Sequence, residues 1–157
     1  MYKTLIILTL LFFSCSTTKY YVVRHAEKEE ATTMTSDVAL SEKGKKRAEV
    51  LKQVLLKEKI AVIYATRYIR TKSTVEPLAQ ALKLDVLTYQ PMDTTFFQQL
   101  RTSKNNILIA GHSNTVDNIV NALLGYKAMQ DLPETQYGDL FIIKRKGSKF
   151  SLEKKQF

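Results

Sequence analysis

A three-layer α/β fold, with a mostly parallel central sheet and a C-terminal antiparallel edge hairpin, is the architecture this sequence predicts. Three observations carry the prediction. Strand-like and helix-like segments alternate from Tyr20 to Leu124. The strands before residue 111 are continuously apolar rather than alternating, as in strands buried on both faces of a parallel sheet. The final segment changes character: Phe150 and Leu152 alternate with polar neighbours after a Lys146-Gly147-Ser148 turn, as in a half-exposed strand.

Each element has its own reason. Tyr20-Tyr21-Val22-Val23 is a short run of β-formers and reads as the first strand. Ser41 is a helix cap, and the helix it opens runs from Glu42 to about Lys57, with Ala48, Leu51, Val54 and Leu55 as its inward stripe. Ile60 to Tyr64 is the second strand. A helix from about Thr71 to Leu82 follows, with Val75, Leu78, Ala79 and Leu82 on one face, and Val86-Leu87 marks a short strand. Thr94 to Arg101 reads as helical and Ile107 to Ala110 as a strand. From about Asn114 to Leu124, apolar residues at 116, 119, 120, 123 and 124 give the clearest helical spacing in the chain, with Gly125 as its stop. Leu140 to Arg145 is the strand that enters the terminal hairpin.

The 157 residues suit one domain with one core, and 45% hydrophobic with 25% charged residues is an ordinary globular composition. The formal net charge of +9 favours anionic partners such as phosphorylated molecules. Much of it lies in Lys43, Lys45, Lys46, Arg47, Lys52, Lys57 and Lys59, which read as the solvated face of one helix and its end. No nucleic-acid-binding signature accompanies the charge, so no nucleic-acid partner is expected.

The N-terminus has the character of an export signal. Lys3 precedes an apolar run from Thr4 to Phe13, too short for a bilayer span of about 20 residues. Ser14-Cys15 follows at once and resembles the bacterial lipoprotein lipobox, in which the cysteine is acylated; Phe12 and Phe13 depart from its commonest form. Residues 1–14 are expected to be a signal peptide, with lipidation at Cys15 anchoring the domain to a bacterial membrane, facing the periplasm or cell surface. Cys15 is the sole cysteine, so no internal disulfide is possible.

In open α/β sheets, ligands bind beyond the carboxyl ends of the strands. Strand one ends in Arg24-His25, the second leads into Thr66-Arg67-Tyr68-Ile69-Arg70, and the Ile107 strand ends in Gly111-His112-Ser113-Asn114. Both histidines of the chain stand at such ends, with arginines beside them. Arginine's planar fork of donors matches phosphate oxygens, and His112 precedes a helix whose unsatisfied N–H groups favour an anion. Imidazole can attack phosphorus and form a covalent intermediate.

These segments resemble the signatures of the histidine phosphatase superfamily, the phosphoglycerate-mutase-like proteins. Arg24-His25-Ala26-Glu27-Lys28 is similar to its Arg-His motif, with Ala26 where Gly is commonest. Leu40 through Ala48 resembles its Leu-Thr/Ser-x-x-Gly-x-x-Gln/Arg-Ala helix start, Ile63 through Thr74 its Tyr-Ser-Ser-x-x-x-Arg-x-x-x-Thr segment, and Gly111 through Thr115 its second histidine motif. The resemblance implies one such domain over residues 15–157. It implies a phosphomonoester hydrolase with His25 as the nucleophile that becomes phosphohistidine. Arg24, Arg70, His112, Ser113 and Asn114 would bind the phosphoryl group, with no cofactor and no metal. The general acid is the open position. Asp93 in a loop is the candidate, its alternative being a helix N-cap, and Glu27 is a second.

Rival readings remain. A nucleophile elbow at Gly111–Thr115 would need a closing Gly and a later histidine, and the chain has neither. Metal ligation by His25, Glu27 and His112 would place a cation among arginines. A mutase would need a longer chain around its pocket. The strongest alternative is a catalytically weak or inactive phosphate-binding lipoprotein module. The expected partner is a phosphorylated small molecule or a phosphoprotein, with membrane contact through the anchor.

Overall fold

A computed structural model describes residues 17–30 and 37–157. The expected signal sequence and Cys15 lie outside the described residues. Among those residues, no helix is long and apolar enough to cross a membrane.

The chain runs β1 (Thr17–Arg24), α1 (Glu42–Leu55), β2 (Ile60–Ala65), α2 (Ile69–Leu82), β3 (Val86–Thr88), α3 (Thr94–Thr102), β4 (Asn106–Gly111), α4 (Val116–Leu124), β5 (Asp139–Lys146) and β6 (Lys149–Gln156). One six-stranded sheet has the order β3-β2-β4-β1-β5-β6. The first four strands in that order are parallel, and β5 and β6 are antiparallel. The expected fold class is therefore the observed one.

The continuous apolar runs are explained by the two cores they serve. Tyr20, Val22, Ile107 and Ile109 point to one face, under Phe96, Leu100, Ile119 and Leu123 of α3 and α4. Tyr21, Val23 and Leu108 point to the other, under Leu51, Val75 and Leu78 of α1 and α2. Each strand thus needs apolar side chains at successive positions. β6 covers the sheet edge, and its exposed Lys149, Lys154 and Lys155 discourage further strand pairing.

Several boundaries and one burial differ from the sequence reading: β1 already begins at Thr17, and α1 ends at Leu55. α2 begins at Ile69, earlier than expected, and α4 at Val116, later than expected. The later start has a local cause: the His112 carbonyl accepts from both Thr115 and Val116 N–H, which holds residues 112–115 in a turn ahead of the helix. Val54, expected to face inward, is 42% exposed, because the buried face of α1 runs through Gly44, Ala48, Leu51 and Leu55.

The start of α1 fixes the exit of β1. Ser41 caps the helix by accepting from Gly44 N–H at 3.2 Å, and its own N–H and Oγ donate to the Glu27 carbonyl at 3.0 and 3.2 Å. The helix can approach this closely because Gly44 has no side chain: a Cβ there would lie 2.0 Å from the Glu27 carbonyl oxygen.

Candidate active site

The site lies where the parallel strands end. β1 and β4 are neighbours, with Arg24 opposite Gly111, so the residues that follow each strand come together. The rings of His25 and His112 stand 5.4 Å apart between centroids, edge to face. They share a cavity of about 630 Å³ with Lys28, Tyr68, Arg70, Ser113, Asn114 and Glu134.

His25 is 3% exposed and held from three sides. Its backbone N–H donates to Gly111 O at 2.9 Å, and the next N–H, of Ala26, donates to Thr74 Oγ1 at 2.9 Å. Thr74 in turn bonds the Arg70 carbonyl at 2.7 Å, so one turn of α2 ties the first histidine to the Arg70 backbone. The ring Nδ1 lies 2.8 Å from Ala26 O. A carbonyl only accepts, so Nδ1 carries the proton and Nε2 of the neutral ring carries the lone pair.

His112 is oriented by a second chain of bonds. Its N–H donates to Thr115 Oγ1 at 2.7 Å, a contact for which Gly111 must lack a side chain, since a Cβ would lie 2.5 Å from that oxygen. Its Nε2 is 2.9 Å from Thr66 Oγ1, and Thr66 Oγ1 is 2.8 Å from Thr71 Oγ1. Thr71 Oγ1 sits 3.0 and 2.8 Å from the Thr66 and Tyr68 carbonyls and donates its proton there. Thr66 therefore donates to Thr71 and accepts from His112 Nε2–H. Arg70 Nη2, a donor only, stands 3.4 Å from His112 Nδ1, which agrees with a lone pair on that nitrogen. Tyr68 meets the His112 ring edge-on at 5.1 Å and lies 4.5 Å beneath the Arg70 guanidinium.

Both histidines are kept neutral. Burial, more than any charge, lowers His25 to about 3, with Arg24, His112 and Arg70 adding to it against the Ala26 hydrogen bond. Burial followed by Arg70 and Arg24 lowers His112 to about 4, against the opposing pull of Glu134. A reaction that needs neutral His25 should then keep its kcat/KM on acidification. At pH 5, an unperturbed histidine of pKa 6.5 would have lost about 30-fold. Here the rate, corrected for the substrate's own ionisation, is expected to change less than about threefold from pH 7 to 5. A decline that begins at pH 6.5 would contradict this electrostatic picture. Stability moves the other way. A lowered folded-state pKa makes the unfolded chain the stronger proton binder, so stability is complete above pH 6.5 and falls as the pH drops towards 4.

The other expected site residues divide. Arg70, Ser113 and Asn114 line the cavity. Arg24 is 3% exposed and does not line the cavity; its Nη1 donates to the carbonyls of Pro133, Glu134 and Gln136 at 2.9, 2.9 and 3.1 Å and its Nη2 to the Glu134 carboxylate at 2.7 Å, while the buried Nε has no partner among the described residues. Tyr137 covers it at 4.4 Å. Arg67 is exposed over Tyr68, away from the cavity lining.

Neither expected acid is placed to serve as one. Asp93 is the N-cap of α3: it is exposed, accepts from Thr95 N–H at 2.8 Å and does not line the cavity. Glu27 is gripped by Arg47 through two bonds of 2.7 Å, with Lys43 at 3.3 Å. Burial pushes its carboxyl up, but these cations outweigh burial and hold it at about 2.

Glu134 is the carboxylate the sequence reading missed. It accepts from Ser113 Oγ and from Arg24, and the Ser113 bond above all holds it below the usual carboxylate range. It stands 110 positions from Arg24, in a connection without periodicity. The length of that connection, from Gly125 to Gly138, was the one available signal, since long loops in compact domains are commonly functional. Among the described residues, no group of three His, Cys, Asp or Glu side chains is placed to hold a metal ion.

Residues 20–94 match the model of the histidine phosphatase superfamily (branch 1), so this segment carries that domain signature. Solved structures share the fold across the chain. The protein histidine phosphatase SixA complexed with tungstate aligns with a TM-score of 0.71 at 14% identity, over 88% of this chain and 97% of that one. A mycobacterial glucosyl-3-phosphoglycerate phosphatase aligns at 0.67 and 14%, over 88% and 98%. A phosphoserine phosphatase variant from Entamoeba histolytica in complex with phosphoserine aligns at 0.63 and 14%, over 86% and 94%. No curated protein matches the sequence.

Proposed function

We propose that this chain is a phosphomonoester phosphatase of the histidine phosphatase superfamily that works through phosphohistidine on His25. The observation that carries the reading is the pair of buried, neutral histidines 5.4 Å apart in one cavity with Arg70. The superfamily match over residues 20–94 supports it.

Nε2 of His25 attacks phosphorus as the ester P–O bond breaks and the alcohol oxygen leaves with the electron pair. Water then attacks the phosphorus, the N–P bond breaks, and phosphate departs. Arg70, His112, Ser113 and Asn114, which line the cavity, are the groups available to the equatorial oxygens, where charge spreads in the transition state. Glu134, on the cavity wall, is held below the usual carboxylate range by Ser113 and Arg24 and is no proton donor to the leaving group. Aryl phosphates and other esters with good leaving groups are therefore the preferred class, whether on a small molecule or on a protein side chain.

The test is a trapped intermediate. The metal-free chain is mixed with a phosphate-labelled aryl ester and quenched in alkali. Acid-labile, alkali-stable label on the wild type, absent from His25→Ala, is the expected result. A folded wild type that binds inorganic phosphate but takes no label would instead be a phosphate-binding module.

Glu134 enters this reading as a competitor. Its carboxylate stands on Arg24 and Ser113, where an incoming anion would also bind. Glu134→Gln is expected to tighten inorganic phosphate binding about tenfold by calorimetry, since a charged acceptor is replaced by a neutral one. Weaker binding would make Glu134 part of the substrate site.

The same proposal places the domain outside the cytoplasm on a bacterial membrane, through acylated Cys15. The apolar run Thr4 to Phe13 followed by Ser14-Cys15 supports it. Mass spectrometry of the membrane-extracted chain, showing a diacylglyceryl adduct lost in Cys15→Ser, checks this part alone.

A further inference from the structure

Six exposed lysines are gathered at the end of the sheet opposite the cavity. β2, β3 and β4 are all entered from that end, and every entry carries exposed lysine: Lys57 and Lys59 before β2, Lys83 before β3, Lys104 before β4. The β5–β6 turn arrives there too. Lys146 pairs with Thr17 at the start of β1 and with Lys149 across the turn, and both lysines are exposed.

None of these six ammonium groups makes a hydrogen bond or ion pair with a described residue. Elsewhere Lys43, Lys45, Lys144 and Lys154 pair with Glu27, Glu42, Glu153 and Asp139, while Lys28, Lys46, Lys72 and Lys127 stand unpaired among the described residues but are not gathered at one end of the sheet. Two acids share the six lysines' connections. Glu58 is already committed to Lys19 and Tyr21, and Asp85 is exposed beside β3. At the cavity end, by contrast, Asp131 and Glu134 share the lining with Lys28 and Arg70. The surplus is thus not arranged to draw anions to the cavity.

Two further features mark this end. Leu56 and Tyr126 are 44% and 63% exposed, beside Lys57 and just past the end of α4. That end of α4 is on this side because Arg101, in the last turn of α3, donates to the Ala122 and Leu123 carbonyls. Exposed tyrosine and aliphatic side chains among lysines suit a headgroup layer. The chain also enters here: Thr17 lies four positions after Phe13, the last residue of the apolar run Thr4 to Phe13.

We propose that this end of the domain is a membrane-apposed face that binds anionic phospholipid headgroups. The lysines come from four separate connections around the end of the sheet and line no groove. They offer point charges to a plane, which a lipid surface meets better than a nucleic-acid strand does. Each lysine near an anionic surface strengthens partitioning roughly fivefold, and the attraction falls with salt.

The full chain is tested by co-sedimentation with vesicles of phosphatidylcholine alone and of phosphatidylcholine with phosphatidylglycerol, the neutral vesicles reporting what the apolar segment contributes. Lys57→Gln, Lys59→Gln and Lys104→Gln combined should lower the anionic-vesicle partition coefficient about a hundredfold, with neutral-vesicle binding unchanged. Lys45→Gln, Lys46→Gln and Lys72→Gln, an equal loss of charge on the helices nearer the cavity, should have little effect. Circular dichroism and the melting temperature verify that both variants fold, so the result does not depend on turnover. Equal losses in the two variants, or wild-type binding indifferent to phosphatidylglycerol and salt, would overturn the proposal. So would loss of binding to a DNA duplex in the first variant with vesicle binding intact, which would make the face a nucleic-acid surface.

Discussion

His25→Ala is expected to reduce metal-free phosphate release from an aryl ester by a factor on the order of 10⁴ or more, while leaving the binding of inorganic phosphate within severalfold of wild type. The imidazole is buried, is fixed through Nδ1 to the Ala26 carbonyl and is neutral at pH 7, so the Nε2 lone pair is available without any prior deprotonation. Removing a covalent nucleophile removes a step rather than weakening one, which is why the loss is so large. Anion binding persists because Arg70, His112, Ser113 and Asn114, the cavity-lining groups, are untouched. Rate and affinity therefore separate in one variant: stopped assays give the first, calorimetry the second. A variant retaining a tenth of the wild-type rate would mean that the reaction does not pass through this nitrogen.

Gly44→Ala is expected to destabilise the domain by about 3 kcal/mol, lowering the melting temperature by about 10 °C. Two effects oppose each other. Alanine favours a helix by about 1 kcal/mol over glycine. Against it, the new Cβ would lie 2.0 Å from the Glu27 carbonyl oxygen and within 3.1 Å of the Glu27 carbonyl carbon and nitrogen, all backbone atoms that cannot swing aside. The clash wins because relief requires α1 to withdraw from the segment that follows β1. That withdrawal breaks the Ser41 bonds to Glu27 and shifts the chain two residues from His25. A drop in kcat should accompany the drop in stability. A more stable variant would show that α1 does not press on this carbonyl.

The sheet and its helices were legible because the period of apolar residues changes when burial changes. β1 and β4 lacked alternation since both their faces are covered, β2 kept its apolar run although Ala61 is exposed and Val62 and Tyr64 are half-buried, and α4 showed its spacing since one face is covered. The two histidines could be paired from sequence because each ends a parallel strand, and strand ends in such sheets share one edge. The contacts of Thr66 with His112 and of Thr74 with Ala26 were hidden, although both threonines lay in recognisable motifs: a motif gives spacing, not partners. Glu134 left no local trace. Its role depends on a connection that crosses back over Arg24, a contact between positions 24 and 134 that no window of sequence spans. For Asp93 the sequence left acid and N-cap open, because both use the same side chain at the same kind of loop, and the structure shows the cap. Burial and neighbours, not residue type, decide which it is.

The histidine pair hangs on the hydrogen-bond ladder itself. Arg24 opposite Gly111 in adjacent parallel strands sets the His25–His112 separation of 5.4 Å, little more than the roughly 4.8 Å between strands. The opposite wall comes from the irregular connection between α4 and β5, fastened by Arg24 and by Leu132 N–H to the Ser113 carbonyl at 2.9 Å. The two are tied through one buried cation: Pro133, Glu134 and Gln136 hold the Arg24 guanidinium beside His25, so rebuilding residues 131–137 would reshape the cavity and at the same time strip a buried arginine of its partners.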